Sequence, residues 1–285
     1  MRPNQVFKTI AMVLTLAGGL AGSPITIADT GNVSNLMAAA SRPDSGGGVF
    51  EIESADDFVI NAGGALITNG TFTGLLSGSV AVPSVQNVII EVYRVFPLDS
   101  NTVRTPNVVT RTNSPSDVAL LTRDASLLDF SFSTTTLAPT FTALNSVQAG
   151  GVHPFPNQTT GGDGVVTGIE TSFSFNFVNP FFLPEGHYFF VPQVEVSGGS
   201  FYWLSAERPI TTGLSFAPDL QAWTRDAFLD PDWSRVGMDI VGGGSPPAFN
   251  MAFTLDGVAV PEPSTLGFCL VALGAFGWRI RSLRK

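Results

Sequence analysis

The groups that could do chemistry in this chain are few. The only imidazoles are His153, in the rigid turn His153-Pro154-Phe155-Pro156, and His187, which follows Gly186 at the start of an apolar run. They are far apart in sequence and lack the local spacing of a zinc site. Serine is common, but no Gly-x-Ser-x-Gly elbow is present. Carboxylates are the more promising chemistry. Asp163, in the stretch Asn157 to Gly164, and the pair Asp230 and Asp232 offer hard oxygen ligands in loop-like sequence, and Asp56-Asp57 is a further pair. Calcium is therefore the candidate cofactor. The plainer reading is turn chemistry, since Asp, Asn and Gly favour such turns without an ion. A glycosidase needs two carboxylates facing across a cleft. Glu170, Glu185, Glu195 and Glu207 are available, but sequence alone does not pair them. Trp203, Trp223 and Trp233 are candidate stacking faces for a sugar. The competing reading is core packing, because large aromatics supply much of the buried area of a β-sandwich.

The elements that must position these groups read as strands. Phe173, Phe175 and Phe177 alternate with Ser174 and Asn176, and Leu128, Phe130 and Phe132 alternate with Asp129, Ser131 and Ser133. Asn87 to Phe96 and Tyr188 to Val196 are aromatic and β-branched, and Ala248 to Leu255 makes a last strand. Gly, Pro, Asn or Asp bounds each run, which predicts about nine to twelve antiparallel strands in a sandwich or jelly roll. Pro192 inside a run predicts an edge or a bulge. Short helices are expected over Val118 to Arg123, capped by Ser114 to Asp117, and within Pro218 to Leu229.

The two ends differ from the middle. Arg2 and Lys8 precede an apolar stretch from Thr9 to Ala21, and Thr26-Ile27-Ala28 offers small side chains before Asp29. This is the pattern of a secretory signal peptide over residues 1–28. A cut after Ser23 is disfavoured because Pro24 follows. At the other end stand Val260, Pro261, Glu262, Pro263 and Ser264, then a run from Thr265 to Ile280 with no charge except Arg279, and a basic end made of Arg279, Arg281, Arg284 and Lys285. The prolines keep the first segment extended. The apolar run predicts a single transmembrane helix of roughly 24 Å, against a hydrocarbon core of about 30 Å. The basic cluster keeps the C-terminus cytoplasmic.

This tail resembles the PEP-CTERM sorting signal of Gram-negative bacteria. The resemblance implies recognition by exosortase, removal of the tail after a transient stay in the inner membrane, and delivery of the remainder to the cell surface or extracellular matrix. The expected organisation is then signal peptide 1–28, flexible lead-in 29–48, sandwich ectodomain 49–258 and sorting tail 259–285. Within 29–260 the net charge is −14 with arginine as the sole cation. Of 23 acidic and 14 basic residues, only Glu262, Arg2, Lys8, Arg279, Arg281, Arg284 and Lys285 lie outside that stretch. Nucleic acid is a poor partner for such a surface. The expected role is non-enzymatic, a structural or exopolysaccharide-associated component. The rival is a secreted carbohydrate-active enzyme. The single cysteine, Cys269, lies in the tail, so no disulfide can form within 29–260. The melting temperature of the exported domain should be the same with and without dithiothreitol, and a shift on reduction would contradict a disulfide-free core.

Overall fold

The computed structural model describes residues 24–46, 49–78, 83–101, 103, 111–147, 159–207, 220–245 and 247–260. His153, the residues before Pro24, the tail from Pro261 to Ser264, the expected transmembrane helix and the basic residues Arg279 to Lys285 lie outside them. Among the described residues no helix is long and apolar enough to cross a membrane.

Among the described residues fourteen strands form two facing sheets. They are β1 (Pro24–Asp29), β2 (Val33–Ala40), β3 (Ile52–Ile60), β4 (Ala65–Ser77), β5 (Ser84–Arg94), β6 (Leu121–Asp124) and β7 (Phe130–Ala143). They continue as β8 (Ser146–Val147), β9 (Val166–Leu183), β10 (Gly186–Ser197), β11 (Ser200–Ala206), β12 (Trp223–Asp226), β13 (Ser234–Arg235) and β14 (Phe253–Ala259). The first sheet runs β1-β14-β4-β11-β2-β8, with β9 and then β7 on the other side of β4; the second runs β13-β12-β3-β10-β5-β6. Every pairing is antiparallel except the short one between β2 and β8. The expected β-sandwich is therefore present as two sheets with a shared aromatic core.

Period-two alternation builds that core. Phe173, Phe175 and Phe177 point inward from β9, and Asn176 between them is exposed. Phe72 stacks on Phe173 with ring centres 4.7 Å apart. Phe190 of the second sheet meets Phe175 at 5.9 Å and Phe253 at 5.0 Å, closing the gap between sheets. Strand β4 is the branch point. Its first half pairs with β14 and its second half with β11 on one edge, while β9 runs along the other. Two glycines permit this crowding. A Cβ on Gly70 would lie 2.3 Å from Thr254 O, and one on Gly74 would lie 2.2 Å from a Phe201 ring carbon.

Several expectations are corrected. Residues 29–48 are not a flexible lead-in over their length. Val33–Ala40 is β2, and Met37, Ala38, Ala39 and Ala40 are fully buried between β11 and β8. Three consecutive alanines hide the alternation that marks other strands. The ectodomain thus begins before residue 49. β1 occupies Pro24–Asp29 and pairs with β14, with Ala28 buried. A cut after Ala28 would remove all of β1 but Asp29. The expected helix at Val118 to Arg123 is instead the approach to β6, which pairs with Ile89 to Val92. Its capping groups are used elsewhere: Ser114 donates to Arg111 O, and Asp117 holds the Arg111 guanidinium and the Asn101 N–H. The second expected helix is replaced by β12, paired with Ile52 to Ala55. Leu128 does not open β7. It is exposed and ends a 3-10 turn in the left-handed region, φ 63°.

Pro192 lies in β10, which is central rather than an edge. The ladder with β3 ends at Phe190↔Asp56, however, and the Val194 N–H points across to Ser41 O. Residues two apart direct their N–H groups to the same side, so the missing donor of Pro192 falls just past the last β3 pair, where no ladder bond is lost.

Gly74→Ala should lower stability by about 1–3 kcal/mol through overpacking. Gly244→Ala, whose added carbon meets nothing within 4 Å, should change it by less than about 0.5 kcal/mol. Urea denaturation of the two variants checks the difference.

Candidate functional site: a buried acid cluster on the second sheet

The outer face of the second sheet carries the chemistry. On β5, Val88, Ile90 and Val92 face the main core, so Glu91 and Tyr93 face outward. On β10 the outward positions include Phe189, Val191 and Gln193, and on β3 they include Glu53 and Ala55. Register brings these together: Arg225 of β12 is paired with Glu53, Glu91 with Thr122 of β6, and Tyr93 with Phe189. This face is not left to solvent. Leu220, Trp223 and Trp233 close over Ala55, Tyr93, Phe189 and Val191 as a second small core.

Glu51, Glu53 and Glu91 offer carboxylate oxygens that all lie within 4.8 Å of one another. Glu53 is buried, and the other two are half-buried. The Arg225 Nε pairs with Glu53 Oε2, its Nη2 donates to Tyr93 Oη at 3.0 Å, and its Nη1 donates to Asp230 Oδ1 at 2.9 Å. The guanidinium lies over the Trp233 ring, 4.4 Å from its centre. Tyr93 Oη lies 2.5 Å from Glu53 Oε1 and 3.0 Å from Glu91 Oε2, so its single proton serves two acceptors. Thr122 donates to Glu91 at 2.8 Å and Gln193 Nε2 donates to Glu51 at 3.0 Å.

Three carboxylates facing one guanidinium cannot all be comfortably charged. Burial, then the Glu53 charge, push the Glu91 carboxyl up to about 7. Burial and Glu53 likewise raise Glu51. Burial works against the Arg225 charge, but Glu53 and its neighbours more than offset this and raise its pKa. Burial, then Glu53, raise that of the Tyr93 phenol and keep it protonated. Chemically, the cluster can hold a shared proton or a small hard cation.

The residues singled out from sequence lie around this cluster or away from it. Asp230 is the partner of Arg225, and Asp232 sits 2.6 Å from Arg111 Nη1. Both serve as counter-ions to buried arginines. Asp163 lies between β8 and β9 of the first sheet, its N–H donating to Ser146 O. The three aspartates are thus not gathered into one site. Asp56 points inward and accepts the Met251 N–H, while Asp57 accepts the Leu220 N–H and lies 2.5 Å from His187 Nε2. Glu170, Glu185, Glu195 and Glu207 do not belong to the three-carboxylate group. Trp203, Trp223 and Trp233 are 0%, 2% and 1% exposed. Their ring N–H groups donate to Ala252 O, Leu220 O and Ser116 O. A sugar has no ring face to stack on there, so the core-packing reading holds for all three. Sequence reasoning passed over Glu51, Glu53 and Glu91. The available signal was a lone charge inside an apolar run, as in Val88-Ile89-Ile90-Glu91-Val92-Tyr93.

The sign of the pH dependence follows from Glu91. Its folded pKa lies above the unfolded value, so the neutral form stabilises the fold at pH below about 4.5, and that contribution is lost as pH rises through about 7. Stability should fall over this window by up to about 3 kcal/mol. Glu91→Gln should flatten that part of the curve. Thermal melts of both proteins from pH 4 to 8 check this, and parallel curves would contradict it.

Comparison with known proteins adds the C-terminal segment. No curated protein and no solved structure matches the chain. Residues 259–285 match the family model described as the PEP-CTERM protein-sorting motif. The match begins at Ala259, the last residue of β14, and the Val260 N–H still donates to Gly64 O at 3.1 Å. The sandwich therefore ends where the motif begins, and the chain carries a PEP-CTERM sorting motif as its C-terminal segment.

Proposed function

We propose that the protein is exported, held briefly in the inner membrane by its tail, and processed by exosortase, leaving the sandwich as a non-enzymatic structural component of the cell surface or extracellular matrix. The observation that carries this reading is the coincidence of boundaries. Ladder pairing runs through Ala259, and the Pro261-Glu262-Pro263 segment follows after a single residue. Removal of the tail would cost the fold no strand. The exopolysaccharide part of the expectation loses its tryptophans to the core and is not carried further.

One observation favours an enzyme as a second reading: two neighbouring carboxyls, Glu53 and Glu91, in an environment that lifts one towards neutrality. A sugar hydrolase needs its carboxyls about 5 Å or more apart across the substrate. Here Tyr93 and Arg225 occupy both carboxylate oxygens of Glu53, which is 3% exposed. That packing supports the non-enzymatic reading. Hydrolysis of an oligosaccharide panel by the parent but not by Glu91→Gln would reverse the choice.

Mass spectrometry of the protein from its native host tests processing at both ends. The mature C-terminus is expected within Pro261 to Ser264, and the N-terminus before Pro24, which keeps β1. Glu262→Ala should accumulate in the inner membrane at the larger mass. Finding the peptide through Lys285 in surface material would falsify the processing reading.

A further inference from the structure

We propose that the end of the first sheet from which the tail departs is a membrane-contact surface, formed by Pro24, Leu66, Phe182, Val258 and Val260, on which the sandwich rests against the bilayer while the tail is inserted. The inference rests on the reading that the tail enters the membrane, and adds where the folded domain sits at that stage. Register sets four of these residues in one row. Pro24 pairs with Val258, Val258 with Leu66, and Leu66 with Phe182. Directly paired residues share a face of the sheet. The row crosses four adjacent strands, about 14 Å at about 4.8 Å per step. Ile67, Phe181 and Leu183 beside it turn into the core, so the row faces outward. The Val260 N–H continues the pairing onto Gly64 O, and Val260 lies two residues beyond Val258. Phe182 is 50% exposed and Val260 37%. Pro24 is exposed, and Leu66 and Val258 are half-buried.

The rest of this outer face is polar. The next row along the strands is Thr26, Asp256, Asn69 and Asn176. Thr26 donates to Asp256 Oδ1 at 3.0 Å there. In the row after it, the hydroxyls of Thr71 and Thr254 lie 2.8 Å apart, and Ser133 closes that row at the edge strand β7. An uncharged row at one end of an otherwise hydrophilic face marks a contact surface.

The two chain ends identify what it contacts. The apolar stretch Thr9 to Ala21 stops two residues before Pro24, and the apolar run from Thr265 starts four residues after Val260. Both therefore attach at this end of the first sheet. Fully extended, Pro261 to Ser264 span at most about 14 Å. The headgroup layer they must cross is about 5–8 Å thick. An inserted tail thus holds the row close to the bilayer surface. A tether this short gives the row a high effective concentration at the interface, so a contact too weak to hold a free domain suffices. Within 29–260 the net charge is −14, so anionic lipid would repel the domain and the contact is apolar in origin. Glu185 follows Phe182 by three residues and is exposed. A carboxylate beside the row limits the seating to the hydrated headgroup region. Such a shallow contact would hold Pro261-Glu262-Pro263 at a fixed height over the membrane and would release the domain once the tail is cut.

The test uses the full-length chain in phosphatidylcholine vesicles containing a nitroxide-bearing lipid that quenches fluorescence near the interface. The single native cysteine, Cys269, lies in the tail. A fluorophore on it reports insertion of the tail. In a Cys269→Ala background, Phe182→Cys carries the fluorophore in the row, and Ser133→Cys carries it on the same face away from the row. Both sites are exposed, and melts of the labelled proteins check their folding. Leu66→Cys gives a second position in the row should the first disturb the fold. Labels at Cys269 and in the row should lose most of their emission to the lipid nitroxide, while the Ser133 label keeps its own. Quenching at Cys269 without quenching in the row would leave the tail inserted and overturn the contact. No quenching at Cys269 would refute membrane insertion, and the contact with it. Equal quenching in the row and at Ser133 would mean unspecific adherence and overturn the surface. A row label that escapes the lipid nitroxide but transfers energy to labels on other copies would assign the row to a second copy of the chain instead.

Discussion

A buried arginine organises the second sheet. The Arg225 guanidinium is nearly out of solvent, and each of its nitrogens has a partner: Nε has Glu53, Nη2 has Tyr93, and Nη1 has Asp230, Asp117 O and Pro231 O. These partners come from β3, β5, the segment before β6 and the turn after β12. One planar, permanently charged group thus joins four pieces of chain that are distant in sequence. Burying a charge is costly unless its hydrogen-bonding capacity is met, and removing one partner from such a pair typically costs 3–5 kcal/mol. The covering residues Trp223, Trp233 and Leu220 follow from this need, because they keep water from a face that a simpler sandwich would expose. Arg111 repeats the arrangement at smaller scale, held by Asp117 and Asp232 and lying 4.5 Å from the centre of the Phe96 ring.

The main core meets a different demand. The described domain contains no cysteine, so its stability comes from packing and hydrogen bonds. Phe58, Phe72, Phe173, Phe175, Phe190, Phe201 and Phe253 form one connected set of ring contacts across both sheets. Edge-to-face and offset pairs of this kind add to area burial. Such a set tolerates little added volume, which is why β4 carries glycine where Phe175 and Phe201 press against it.

The start of the sorting motif and the acid cluster lie on different sheets. The sorting motif begins at the end of β14 in the first sheet. The acid cluster lies on the outer face of the second sheet.

The sequence alone determined the sorting tail, because its information is local: two prolines around a glutamate, an apolar run and a basic end need no tertiary partner to be read. It determined the strand character of β5, β9 and β10, because period-two alternation of large apolar residues is a local pattern. It also determined that no disulfide stabilises the domain. Tertiary structure decided the rest. The triple alanine in β2 reads as featureless until β11 and β8 flank it. The capping signals before Val118 are real but are outcompeted by Arg111 and by pairing with β5. The tryptophans look available in sequence because solvent exposure is a property of what covers a residue. Glu51, Glu53 and Glu91 become one site only because β3 and β5 both flank β10, and strand order is set by long-range packing that no local spacing records.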